Sequence, residues 1–136
     1  MLDTNILVAG LRSRRGASFR VLELLGGLDF EIAVSVPLVL EYEDALARIV
    51  ADELIEEKHA HAVIDYICSI ARKQSVFFLW RPLLRDPKDD MVLELAVAAC
   101  CTRIVTHNVR DFVGSEELGV VTVTPKRFPH EIGRAS

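Results

Sequence analysis

Apolar residues recur along this chain in two rhythms, one of strand length and one of helical period. Short apolar runs stand at residues 32–35, 76–80, 103–106 and 120–123, and the opening pair Met1-Leu2 adds a very short fifth. Between them, helical spacing marks residues 5–11, 17–25, 37–50, 53–73 and 87–100. Strands alternating with helices predict an α/β protein. The expected form is a central, mainly parallel sheet of about five strands, with crossover helices completing three α/β/α layers.

Two of the helices can be phased at about 100° per residue. From Pro37 onward, Leu38, Tyr42, Ala45, Leu46 and Ile49 make one apolar stripe. Glu41 falls about 60° from the centre of that stripe, at its edge, while Glu43 and Asp44 point further away. In the later helix Leu93, Ala96, Val97 and Cys100 share a face, and Asp89 lies on it one turn before Leu93. A carboxylate there sits at the mouth of the core. Asp86-Pro87 reads as an N-cap followed by proline at the first helical position, which accounts for Asp86 and only partly for Asp89.

Composition narrows the class without naming a function. A length of 136 residues suits one domain covering 1–136. A chain of that size buries roughly 70% of its unfolded surface, enough to fold without a disulfide or structural metal. No apolar stretch is long enough to span a bilayer, and Met1-Leu2-Asp3 shows no basic stretch leading into an apolar run, so neither a membrane anchor nor a signal peptide is expected. Cys68, Cys100 and Cys101 form no Cys-x-x-Cys pair and are expected as buried free thiols in a reducing cytosol. The net charge of −4 argues at first against a nucleic-acid partner. Basic residues nevertheless gather at Arg12, Arg14, Arg15 and Arg20, at Arg81, Arg85 and Lys88, and at Lys126 and Arg127, while much of the acid lies in residues 41–57. A basic rim around an acidic pocket would attract phosphates, although the same charges equally suit a solvated surface.

Four polar places stand beside strand ends or helix starts. They are Asp3 in Leu-Asp-Thr-Asn, Glu41 in Leu-Glu-Tyr-Glu, Asp89 in Arg-Asp-Pro-Lys-Asp-Asp, and Asn108 with Asp111 after the strand ending at Thr106. In an open α/β sheet, ligands bind beyond the carboxyl ends of the strands. Carboxylates that converge there repel one another unless a cation joins them. Oxygen ligands without a His or Cys pairing point to a hard ion, Mg²⁺ or Mn²⁺, which lowers the pKa of a bound water and neutralises charge on a phosphate oxygen. Each piece alone has a plainer reading: Asp3 ends a strand, Glu41 flanks a helix, and Thr106, Asn108 and Asp111 make a turn. Order and spacing together point to hydrolytic phosphodiester chemistry.

Taken in order, Leu2-Asp3-Thr4-Asn5-Ile6-Leu7-Val8, Glu41-Tyr42, Arg85-Asp86-Pro87-Lys88-Asp89-Asp90 and Val105-Thr106-His107-Asn108 resemble the successive signatures of the PIN domain. The resemblance is strongest to the branch of VapC-like toxin components of bacterial and archaeal toxin–antitoxin pairs. The closing Val121-Thr122-Val123-Thr124-Pro125, with Phe128, resembles that branch's last strand and turn, so the likeness spans essentially the whole chain. It implies a parallel sheet flanked by helices and an acidic pocket for one or two divalent ions. By position, Asp3, Glu41 and Asp89 match the family's first three acidic residues, Asp89 being chosen over Asp90 by counting back from Ala96 and Thr106. At the fourth place, members often carry Asp two residues after the Thr. This chain has Asn108 there and Asp111 three residues on, and either completes the site. Thr4, Asn5 and Thr106 match residues that orient the carboxylates or a phosphate.

The expected mechanism is attack of a metal-activated water on a phosphodiester of single-stranded or loop RNA. Asp3 and Asp89 are the principal ligands, Glu41 binds or orients metal water, and Asn108 or Asp111 finishes the shell. The resemblance also implies a small antitoxin partner and a homodimer. Two rivals stand beside this reading. A signalling receiver would need a phospho-acceptor Asp after the strand at 76–80, where Arg81-Pro82 stands instead. A degenerate PIN scaffold, binding protein or nucleic acid without catalysis, is favoured by Asn108 and opposed by Asp3, Glu41 and Asp89.

Overall fold

The computed structural model describes residues 1–27, 30–75 and 87–135. The chain opens on a short extended stretch and turns into α1 (Thr4–Arg12) at Asp3, whose carboxylate accepts the Thr4 N–H at 2.8 Å. α2 (Ala17–Glu23) folds back against α1. Gly10 permits that close approach, because a Cβ there would lie 2.4 Å from Leu22 Cδ1 and 3.3 Å from Phe19 N. After β1 (Ala33–Val34), Ser35 caps α3 (Val36–Ala51) by accepting the Leu38 N–H at 3.3 Å, with Pro37 in the first turn where no N–H is required. The expected stripe is buried at Leu38, Tyr42, Leu46 and Ile49, and Ala45 is half-buried at its border.

α4 (Glu57–Ile70) packs on α3 through Ala60, Ile64 and Ile67 and leads into β2 (Arg72–Lys73). α5 (Pro87–Ala98) lies against α3, β1, β3 (Arg103–Val105) and the 3₁₀ turn Val109–Phe112. Val92, Leu93, Leu95 and Ala96 are buried along α5, as are Glu94 and, just past the helix, Ala99. A second 3₁₀ turn, Ser115–Leu118, precedes β4 (Val121–Val123) and α6 (Phe128–Ala135). Among the described residues, no helix is long and apolar enough to cross a membrane.

The α/β alternation is present, but the strands are short and the expected single sheet of about five strands is not seen among the described residues. β1 pairs parallel with β2, and β3 pairs parallel with β4. Leu2 adds a parallel bridge to Val105, where the Asp3 N–H donates to Val105 O and the Val105 N–H to Met1 O, each at 2.9 Å. The apolar run at 76–80 and the proposed cap Asp86 lie outside the described residues.

Four further differences have local causes. The helix expected over 53–73 begins only at Glu57, because Glu53, just past the end of α3, is left-handed (φ 59°) and the chain must turn first. The bonds from Leu54 N–H to Ile49 O and from Glu53 N–H to Val50 O are those of a Schellman stop. At its other end that helix gives way to β2, because the Arg72 N–H bonds Ile32 O at 2.9 Å and the Gln74 N–H bonds Val34 O at 2.8 Å. Tertiary pairing there outweighs helix propensity. Cys100, expected on the core face, is exposed and left-handed (φ 57°), since α5 stops on it through Cys100 N–H to Val97 O and Cys101 N–H to Ala96 O. α6 was not expected at all; Phe128 meets Phe30 edge to face at 4.9 Å, and Glu131 pairs with Arg103 at 3.0 Å.

Candidate active site

The bridge between Leu2 and Val105 sets Asp3 and Thr106 side by side, each the next residue after a parallel-paired position. They therefore meet at the carboxyl ends of adjacent extended segments, where an α/β fold opens to a ligand. Asp3 is buried and Thr106 fully so. The Thr106 hydroxyl donates to Asp3 Oδ2 at 2.7 Å. Its oxygen in turn accepts the Asn108 N–H at 3.0 Å and the Asn5 side-chain amide at 3.3 Å. With both lone pairs occupied, the hydroxyl hydrogen has only the carboxylate left to serve. The Asn5 amide also donates to Asp3 Oδ2 at 3.3 Å, and its oxygen accepts the His107 N–H at 3.3 Å, which fixes the amide's orientation. Asp3, Thr4, Asn5, Thr106 and Asn108 thus share one hydrogen-bonded network built from two distant stretches of chain.

The electrostatics run against the Asp3 charge. Burial pushes its carboxyl above the usual carboxylate range, and the negative charge of Asp111 pushes it the same way. The Thr106 hydroxyl, the Thr4 N–H and His107 oppose that rise without cancelling it. Asp111 itself is exposed on the Val109–Phe112 turn, anchored by the buried Phe112 and by its N–H donating to Asn108 O at 2.9 Å. Asp111 therefore acts on Asp3 through space.

The other expected members stand on α3 and α5. Glu41 is half-buried on α3. The next residue, Tyr42, reaches across and donates its hydroxyl to Leu2 O at 2.5 Å, so α3 is fastened directly behind Asp3. Burial first, then the charge of Asp3, raises the Tyr42 phenol and keeps it a donor. Asp89 and Asp90 are both half-buried in the first turn of α5. Among the described residues, no three His, Cys, Asp or Glu side chains stand close enough together to hold a metal ion. Asp3 and Asp111 still fit the start of an all-oxygen site for a hard cation, because a cation would offset both causes that raise the Asp3 carboxyl.

Three residues escaped the sequence reading. Tyr42 stands in the core stripe and in the Glu41-Tyr42 signature, but neither reveals its hydrogen bond to Leu2 O. Glu94, buried on α5, follows Asp90 by one helical turn, and the surrounding Leu-Glu-Leu-Ala carries no motif that marks it. Ser18, buried on α2, shares a 2.6 Å hydrogen bond with His107 Nε2, and nothing in its neighbourhood in sequence signals it.

A family model described as PIN domain matches residues 1–110. No curated protein and no solved structure matches the chain.

Proposed function

The chain belongs to the PIN domain family, and from that premise we propose that it is a Mg²⁺- or Mn²⁺-dependent endoribonuclease, the cytoplasmic toxin of a toxin–antitoxin pair. PIN domains are in general hydrolytic nucleases and typically bind divalent metals, so nuclease chemistry follows from membership. The finer reading is carried by one observation: the buried Asp3 carboxylate, presented at the ends of paired extended segments and raised further by the negative charge of Asp111. The divalent ion, when bound, supplies an acidified water and neutralises phosphate charge. Asp3, Asp89 and Asp111 would hold it, with Asn108 offering a neutral oxygen and Glu41 orienting water at the edge of the site. Thr106 and Asn5 keep Asp3 Oδ2 supplied with donors, so the carboxylate cannot swing toward other partners. Thr4 holds Oδ1 through its backbone N–H.

The test is cleavage of single-stranded RNA by chelator-stripped protein, with Mg²⁺ or Mn²⁺ added back, beside Asp3→Asn. Metal-restored cleavage that the variant lacks, with its circular dichroism unchanged, is the expected result. Cleavage that ignores metal, or an Asp3→Asn protein as active as wild type, would overturn the assignment. RNA binding without cleavage would make the chain a binding module. The toxin role predicts growth arrest on expression, relieved by a small antitoxin encoded nearby. The proposed homodimer is read by light scattering.

A further inference from the structure

The geometry points to a positioning role for Ser18 and His107: we propose that their hydrogen bond is a latch that holds the segment carrying Asn108 and Asp111 over Asp3. Its consequence for catalysis rests on the nuclease reading, while its geometry does not.

The segment from His107 to Phe112 is fixed at both ends. At its far end the Phe112 side chain is buried in the core. At its near end, the main chain of His107 donates to Asn5 Oδ1 at 3.3 Å, and its ring meets Ser18 Oγ at 2.6 Å. These contacts tie one residue to the start of α1 and to α2, two elements that pack closely on each other. Between the anchors, Asn108 leans on Thr106 through its N–H, and Asp111 on Asn108. Apart from Phe112, residues 107–111 are exposed, so burial alone does not fix where they sit. The 3.3 Å main-chain contact is long for an N–H···O bond. The short Ser18 contact is therefore the firmer of the two restraints at the near end. Among the described residues the Ser18 hydroxyl, buried in α2, makes no other hydrogen bond, and Gly16 occupies the N-cap position.

Losing this bond need not unfold the protein. Ser18→Ala leaves no buried polar orphan, because the ring it abandons belongs to an exposed residue that water can serve. The experiment compares Ser18→Ala, His107→Ala, their double variant and His107→Gln, whose amide can replace Nε2. Amide hydrogen exchange at Asn108 and Asp111 is measured in metal-free protein, together with urea unfolding, and RNA cleavage is measured with Mn²⁺. Either alanine variant is expected to speed exchange roughly fivefold, as loss of one hydrogen bond would allow. The double variant should add nothing further, His107→Gln should recover most of the protection, and the unfolding midpoint should hardly move. In cleavage, kcat falls while KM holds. Unchanged exchange, or additive effects in the double variant, would overturn the latch. A rise in KM with kcat intact would overturn positioning in favour of direct substrate contact. If the wild type cleaves no RNA, the nuclease reading fails by itself, and exchange still decides the latch.

Discussion

Thr106→Val is the sharpest probe of the Asp3 network, because it keeps the shape of a fully buried side chain and removes only its hydroxyl. The bond lost is donated to a carboxylate at 2.7 Å, and hydrogen bonds to charged groups contribute about 1.5–3 kcal/mol. The Asn5 amide and the Asn108 N–H lose an acceptor too, but both belong to residues with access to water and recover part of that loss. The added buried methyl returns about 1 kcal/mol. A net destabilisation of about 1–2 kcal/mol at neutral pH follows. Its pH dependence is fixed in sign. The folded Asp3 carboxyl lies above its unfolded value, so the native state holds more protons in the interval between the two, and stability falls as pH rises through it. Thr106 opposes that rise, so the variant moves the folded value higher still and widens the interval. The cost of Thr106→Val should therefore grow as pH rises and shrink once Asp3 is protonated in the folded state. Urea unfolding of chelator-treated protein at a series of pH values reads this directly. A cost that is flat with pH, or absent, would refute the hydrogen-bond assignment.

Asp111→Asn removes one cause of the raised Asp3 carboxyl, so metal-free protein should become more stable at neutral pH while its Mn²⁺ affinity falls; Asn108→Ala should lose less affinity, and the reverse order would make Asn108 the ligand. Glu41→Gln should cost far more RNA cleavage than Glu43→Gln or Asp44→Asn, since Glu41 is half-buried while Glu43 is exposed and Asp44 pairs with Arg48 at 2.6 Å; equal losses would mean the phase of α3 carries no functional meaning. Cys100→Gly should raise thermal stability by roughly 0.5–1 kcal/mol, because glycine accepts the left-handed stop of α5 without strain; a lower melting temperature would contradict this.

What the sequence disclosed and what it hid divide along local and long-range physics. The α3 stripe was legible because its burial follows from spacing alone, and Leu38, Tyr42, Leu46 and Ile49 obey it. The stop at Cys100 was not legible, because no glycine or asparagine marks the left-handed residue. β2 was hidden for a different reason. Arg72 and Lys73 carry no strand pattern, and what makes them a strand is hydrogen bonding to a segment about forty residues earlier. In the site, Asp3, Thr4, Asn5, Thr106 and Asn108 could be picked out as motif positions. That Thr106 spends its only hydrogen on Asp3 could not be, since the partner lies 103 residues away. Ser18 had no motif to announce it, and its role depends wholly on how α2 folds back across α1.

The identity of residue 3 separates a structural duty from a chemical one. As the N-cap of α1 it needs only an acceptor oxygen, and Ser or Asn would give one without burying a charge. The carboxylate instead brings a charge that burial and Asp111 both disfavour, and three donors are spent keeping it in place. A cap chosen for stability alone would be neutral here. The excess negative charge becomes favourable only when something positive arrives, which gives two opposite consequences for Asp3→Asn. In metal-free protein at neutral pH the substitution should lose little stability or gain some. In the presence of saturating Mn²⁺ it should fall below wild type, because ligand binding stabilises only the protein that can bind. Melting curves of both proteins, with chelator and with Mn²⁺, test this crossing. If the two keep the same order in both conditions, the charge at residue 3 is not there for a cation.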